Sequence, residues 1–330
     1  MVASNGAECV AIFFVLSGLV IRFVSVEKNE GDWRKYTVAR VARIGSVAWI
    51  ALLVVLIADA VGRHYDAQVY ADFPPLNGET VIALVRAITF TNELWFSHSV
   101  VGSGGAYWSL GFEVPYYLLF GLMLFMRGPS RWLAAVVWAV VCGPKILAYL
   151  PLWMLGVALY EVIRRLRSCH FGLALTLLIA GPAIYLLLKF ALPHPFYRIY
   201  GPYSAIDLAA GALYYFGIGI AFSIHVLGFA MMTAHRNLSW GSLAAPIQWL
   251  AGGSFTLYLV HVPLMLITKA IVGFTHADTL FGLITLLGVM IVAYGLAELG
   301  ERRKHVFKVW VEAGLQLATQ RFARTNLSAR

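Results

Sequence analysis

The sequence predicts an all-α, polytopic membrane protein: a bundle of about nine transmembrane helices. Two observations carry this. Of the 330 residues, 60% are hydrophobic and only 12% charged, about half the charged share of a soluble domain. Several apolar runs also reach about 20 residues, enough to cross the hydrocarbon core as a helix. Inside lipid the backbone amides must be satisfied within the segment, which favours helices.

Taken in order, the expected spans are about 8–26, 44–62, 107–126, 132–148, 150–163, 171–191, 206–233, 247–272 and 279–298. The first has Glu8 in front of it instead of a basic region and no small-residue cleavage site before Glu27, so it reads as a retained helix and not a signal peptide. The run 150–163 is short and starts at Pro151. The stretch 81–96, "VIALVRAITFTNELWF", is broken by Arg86, Asn92 and Glu93 and reads as re-entrant or interfacial, with a tenth span as the alternative. The membrane domain occupies 1–300. Residues 301–330 mix basic with apolar positions, Phe307, Trp310 and Leu317 among them, and suit an amphipathic, cytoplasmic tail helix.

The basic residues test this order. With the loop between the first two spans inside, nineteen of the 25 Lys and Arg fall on the cytoplasmic side. They include Lys28, Arg40, Arg43, Arg127, Arg167, Arg236, Arg302, Arg321, Arg324 and Arg330. Only Arg63, Arg86, Lys145, Lys189, Arg198 and Lys269 fall outside or within the membrane. That bias is the positive-inside pattern, and counting 81–96 as a span would destroy it. Nine spans with an inside C-terminus put the N-terminus outside, so parity predicts one more helix in front. The same placement of charge argues against nucleic acid as the partner of a chain with net charge +9. Cys9, Cys142 and Cys169 lack metal or redox spacing, and no His/Cys/Asp cluster has metal-ligand spacing.

Ionisable residues within spans are costly and often mark function. The candidates are Glu113, Asp207, His225, His261 and Glu298. "YWSLGFEVPYYLLF" places Trp108 at an outer interface and Glu113 deeper; an aromatic belt with a paired carboxylate is the alternative. In "WLAGGSFTLYLVHVPLM", Ser254, Tyr258 and His261 are spaced by four and three and share a helix face, turned to a cavity or a neighbouring helix. His225 reads as a helix–helix hydrogen-bond partner and Asp207 as a cap or ion-pair member. Arg40 and Arg43 lie one turn apart in "RKYTVARVARIG". They are either inside-facing anchors or a clamp for a phosphate-bearing ligand, whose geometry the guanidinium fork matches.

The ordered blocks "FFVLSG", the Arg-x-x-Arg helix, "WSLGFE", "PLWMLGVALY", "SFTLYLVHVPL" and "AELGERR" resemble the acyltransferase 3 family of integral membrane acyltransferases, from about residue 8 to 304. The family's Ser-Tyr-x-x-Tyr-Leu-x-His block appears with Phe255 at its first Tyr. Its Glu-Arg-Pro is matched only by Glu298, followed here by Leu299 and Gly300. The resemblance implies a ten-span fold in a bacterial inner membrane. It implies transfer of an acyl group, often acetyl, from cytosolic acyl-CoA, a co-substrate and not a bound cofactor, to a sugar or glycan hydroxyl. It places Arg40, Arg43 and Ser17 at the acyl-CoA; Trp108, Glu113 and Tyr258 at the acceptor pocket; and Glu113 and His261 as candidates for catalysis. The family's first helix carries an Arg and then a His taken to be the base that activates the acceptor, and no residue here matches either. Two readings follow. Either the natural start lies upstream and the ten-span protein is active, or the product lacks the base and is a non-catalytic relative. A transporter of a lipid-linked sugar is the third class, weakened by the lack of internal repeats.

Overall fold

A computed structural model describes residues 6–27, 32–166, 170–192, 204–236, 241–273 and 279–328. Lys28, Arg167, Cys169, Arg198 and Arg330 lie outside the described residues, as do the side chains of Arg236, Arg321 and Arg324. The described residues form twelve α-helices, joined by short 3₁₀ turns, and contain no strand. Among the described residues eight helices are long and apolar enough to cross a membrane. The chain is an integral, all-α membrane protein. It divides into two compact units.

The first unit comprises Met1–Gly31, Glu93–His98 and Ser109–Gly241. Its helices are α1 (Gly6–Glu27), α4 (Leu110–Phe125), α5 (Pro129–Cys142), α6 (Pro144–Arg165), α7 (Phe171–Ala191) and α8 (Ala205–Arg236). Here the expected spans need correction. The break expected at Pro151 falls at Gly143, whose φ of +81° ends α5 and lets Pro144 open α6 at its first position. Pro151 sits inside α6. With 14 residues α5 is about 21 Å long, short of the roughly 30 Å core, so among the described residues eight helices meet the spanning length where about nine were expected.

Helices α1 and α6 meet backbone to backbone. A Cβ on Gly18 would lie 2.1 Å from the Trp153 carbonyl oxygen, and one on Gly156 1.9 Å from that of Val15. Small residues at such crossings let membrane helices approach when no hydrophobic force separates protein from lipid. Helices α7 and α8 use Gly181 and Gly228 in the same way. His225 Nδ1 donates to the Leu178 carbonyl at 2.9 Å, the helix–helix bond expected of it. Asp207 is a capping residue: its carboxylate accepts from Ser204 Oγ at 2.7 Å while Ser204 Oγ accepts from Asp207 N at 3.1 Å.

The second unit comprises Asp32–Asn92, Ser99–Trp108 and Ser242–Arg330. It holds α2 (Trp33–Tyr65), α3 (Gly78–Ile88), α9 (Ala244–Ala251), α10 (Ser254–Val272), α11 (Thr279–Leu299) and α12 (Lys304–Ser328). The α2 helix starts on an Asp32 cap to Arg34 N and packs along α10 and α12. The expected span 247–272 is broken at Gly252 and Gly253, which separate α9 from α10; a Cβ at Gly253 would meet the Tyr294 ring at 2.6 Å. Within 81–96 only α3 is helical, and at 11 residues it is too short to cross. The chain then runs without helix, with Phe90 and Trp95 both at φ +55°. Tyr70 lies across α2 at Gly62, donating to the Ala58 carbonyl at 3.2 Å, and burial pushes its phenol up to about 12.

Candidate active site

Three helices of the first unit bring polar groups to one buried point. Ser17 comes from α1, Glu113 and Tyr117 come from consecutive turns of α4, and Trp153 comes from α6. Ser17 Oγ donates to Glu113 Oε1 at 2.8 Å, and the Tyr117 hydroxyl donates to the same oxygen. Trp153 Nε1 donates to Ser17 Oγ at 3.3 Å. The Gly18–Gly156 contact makes this possible, since it carries α1 close enough for Ser17 to reach Trp153. Phe14, Phe112, Tyr116 and Phe120 pack edge-on or tilted around the cluster.

Glu113 is fully buried, and its Oε2 has no hydrogen-bond partner among the described residues. A carboxylate that loses water and recovers bonds on one oxygen alone is destabilised by a penalty of about 1–3 kcal/mol or more. Groups of that kind in a native fold call for an explanation, and a reacting partner is one. The expected site residues Ser17 and Glu113, which the sequence assigned to opposite substrates, are hydrogen-bonded to each other.

Two further ionic clusters in this unit escaped the sequence reading. Lys145, in the first turn of α6, is fully buried and donates to Glu93 Oε2 at 2.5 Å and to the Ser97 carbonyl. Glu93 Oε1 bonds His98 Nδ1 at 2.7 Å. Glu8, buried on α1, accepts from Tyr185 at 2.6 Å, Tyr214 at 3.0 Å and Lys189 at 3.2 Å. The only signal in the sequence was a charge next to an apolar run, which resembles an ordinary helix-end anchor.

The remaining candidates belong to the second unit. Arg40 is buried with its guanidinium 5.7 Å from the Tyr36 ring centroid. Arg43, half-buried one turn on, has its carbonyl bonded by Ser46 Oγ at 3.1 Å. Trp108 is buried. Tyr258 and His261 are both half-buried with rings 6.1 Å apart, and His261 Nδ1 donates to the Tyr258 carbonyl at 2.6 Å. Ser254 Oγ turns back to the Ala251 carbonyl. Glu298 is exposed and pairs with Arg302, which lies 4.1 Å over the Trp249 ring. Glu301, three residues on, is the carboxylate that reaches into the fold. An intramembrane carboxylate the sequence reading passed over, Asp59 on α2, is fully buried and takes Ser103 N at 2.7 Å as well as Ser103 Oγ. Among the described residues no three His, Cys, Asp or Glu side chains form a group able to hold a metal ion.

The family model described as an acyltransferase domain matches residues 2–298. No curated protein and no solved structure matches the chain. The family match takes in α1 through almost all of α11, including every block on which the resemblance rests except the end of "AELGERR". A polytopic helical chain matched over that length belongs to the acyltransferase 3 family of membrane acyltransferases.

Proposed function

We propose that the protein transfers an acyl group, acetyl first among the candidates, from acyl-CoA on the cytoplasmic side of a bacterial inner membrane to a hydroxyl of a sugar or glycan. The observation that carries this reading is the half-satisfied carboxylate of Glu113, held by Ser17 and Tyr117 in a chain of the acyltransferase family.

In the reaction the acceptor oxygen attacks the thioester carbonyl. A C–O bond forms, the C–S bond breaks, and the proton lost by the acceptor is matched by one gained by the leaving CoA sulfur. Glu113 Oε2 accepts a hydrogen bond from the acceptor hydroxyl and draws off its proton as the C–O bond forms. Ser17 and Tyr117 fix the other carboxylate oxygen and so its direction. Arg40 and Arg43 hold the acyl-CoA phosphates, for which a fork of guanidinium donors is suited. Trp108, Tyr258 and His261 serve the acceptor side, and the C-terminal tail is cytoplasmic.

The test uses the full-length protein in native membranes supplied with labelled acetyl-CoA and other short acyl-CoAs. Alkali-labile label should appear on a glycan fraction, Glu113→Gln should abolish it, and Arg43→Ala should raise the acyl-CoA KM. No transfer to any glycan together with no acyl-CoA binding would overturn the assignment.

A further inference from the structure

Helices α1 and α6 run side by side in the same direction, and their contacts continue past the candidate active site. Beyond the Gly18–Gly156 crossing, Arg22 on α1 meets Glu161 on α6, with Nε at 2.7 Å and Nη2 at 2.6 Å from Glu161 Oε1. Beside this pair the Tyr160 hydroxyl donates to Glu27 Oε1 at 2.5 Å, and Phe23 packs edge-on against the Tyr160 ring. Two more arginines lean on the same glutamate. Arg164 Nη2 lies 3.4 Å and Arg165 Nη2 3.8 Å from Glu161 Oε2. A charge-assisted bond is made at about 2.7–2.9 Å, so these two guanidinium groups are drawn to the carboxylate without being matched by it. Their side chains are 47% and 77% exposed. Three arginines thus stand against the two carboxylates of the junction, and the excess positive charge is on its exposed rim.

We infer that Arg164 and Arg165 form an anion subsite that takes a phosphate group of the acyl donor, while Arg22 and Glu161 lock the two helices behind them. The inference rests on the acyl-CoA reading above. This is the end of α1 and α6 expected to face the cytoplasm, from which the donor comes. By helix rise Arg22 lies about 8 Å beyond Ser17, and Glu161 about 12 Å beyond Trp153. A donor whose thioester lies at Ser17 and Glu113 therefore has its charged nucleotide at the water side of the same two helices. That nucleotide carries a diphosphate and a separate 3′-phosphate, so guanidinium groups beyond Arg40 and Arg43 have an anion to take. The fork of a guanidinium suits phosphate oxygens, and an arginine that its carboxylate does not match has little to give up on binding. Lipid headgroups offer the same phosphate chemistry. The donor is favoured because the subsite is built on the two helices that bring Ser17 and Trp153 together.

The test uses the full-length protein in detergent and measures equilibrium binding of labelled acetyl-CoA and of S-acetylpantetheine, a thioester of the same arm without phosphates. Arg164→Gln combined with Arg165→Gln should weaken acetyl-CoA binding about tenfold and leave S-acetylpantetheine binding within about twofold. Arg164→Lys combined with Arg165→Lys keeps the charge without the fork and should lose only about threefold. Added salt should weaken acetyl-CoA binding less in the glutamine variant than in wild type. Both side chains are exposed, so the melting temperature should not move. Thermal unfolding with and without phosphatidylglycerol separates the two sources of phosphate. If the glutamine variant binds acetyl-CoA as wild type does but loses the stabilisation that phosphatidylglycerol gives, the arginines hold lipid headgroups; if neither changes, they are solvated charges. Both results overturn the inference, as do equal losses for acetyl-CoA and S-acetylpantetheine. If the wild-type protein binds no acetyl-CoA, the underlying reading fails and this inference falls with it.

Discussion

Substituting Gly156 by Ala isolates the contact on which the candidate site depends. The added Cβ would sit 1.9 Å from the Val15 carbonyl oxygen and 2.6 Å from Leu19 N. Both are backbone atoms of a helix, so no side-chain rotation relieves the clash. Restoring ordinary contact requires α1 and α6 to part by at least about 1.5 Å, an overpacking that costs about 1–3 kcal/mol. The Trp153 Nε1–Ser17 Oγ bond, already 3.3 Å long, does not survive that movement, and its loss adds about 1 kcal/mol. The expected destabilisation is about 2–4 kcal/mol, read from denaturant unfolding in detergent, with a shift in tryptophan emission as the indole N–H loses its partner. Acyl transfer should fall as well, since Ser17 is drawn away from Glu113. Gly288→Ala on α11 is the control: nothing lies within 4 Å of its added Cβ, so helix propensity alone should make it neutral or stabilising by up to about 1 kcal/mol. If Gly156→Ala unfolds at the same denaturant concentration as wild type with unchanged emission, the backbone contact is not what sets the site.

Glu113→Gln should remove transfer activity without lowering acyl-CoA affinity more than twofold; equal losses in both would place Glu113 with the donor. Lys145→Met leaves Glu93 buried without its cation and should destabilise by about 3–5 kcal/mol, whereas Lys145→Met combined with Glu93→Leu should recover much of that loss. Denaturation midpoints of the two single variants and the double variant decide this, and simple additivity would count against a buried ion pair. Gly102→Ala should cost about 2–4 kcal/mol, because its φ is +46° and the new Cβ would fall 2.0 Å from Asp59 Oδ2; a neutral effect would show that the Asp59–Ser103 knot is loose. The Tyr70 phenol is held neutral up to about 12 in the fold but ionises near its ordinary value when unfolded. The unfolded state therefore loses its proton first, and stability should fall as pH rises from about 10 to 12. Tyr70→Phe should flatten part of that fall, measured as the difference in melting temperature between the two proteins across the range.

What the sequence made legible was whatever depends on composition and order. Apolar length and the distribution of arginines were enough for the all-α membrane class and for placing α1, α4, α7, α8 and α11. The breaks were harder to place. Pro151 looked like a helix start, yet a proline inside a membrane helix is tolerated where neighbours satisfy the freed backbone. Gly143 was the true break, through a left-handed φ that no composition rule reveals. The site shows the same division. Glu113 stood out because a carboxylate inside an apolar run is expensive. Ser17 was placed only with the acyl-CoA, through the "FFVLSG" resemblance, and nothing local says that its hydroxyl meets a carboxylate 96 positions away. Asp59, Glu93 and Lys145 were hidden for the opposite reason: each sits near the end of an apolar run, where a charge normally reaches water. What makes them buried is the irregular chain from Phe90 to Gly104, whose backbone supplies Ser97 O to Lys145 and Ser103 N to Asp59. Such partners are main-chain atoms of a loop, invisible to any reading of side-chain pattern. Within 81–96 the helix stops at Ile88, and Glu93, on the irregular chain beyond it, pairs with the side chains of Lys145 and His98.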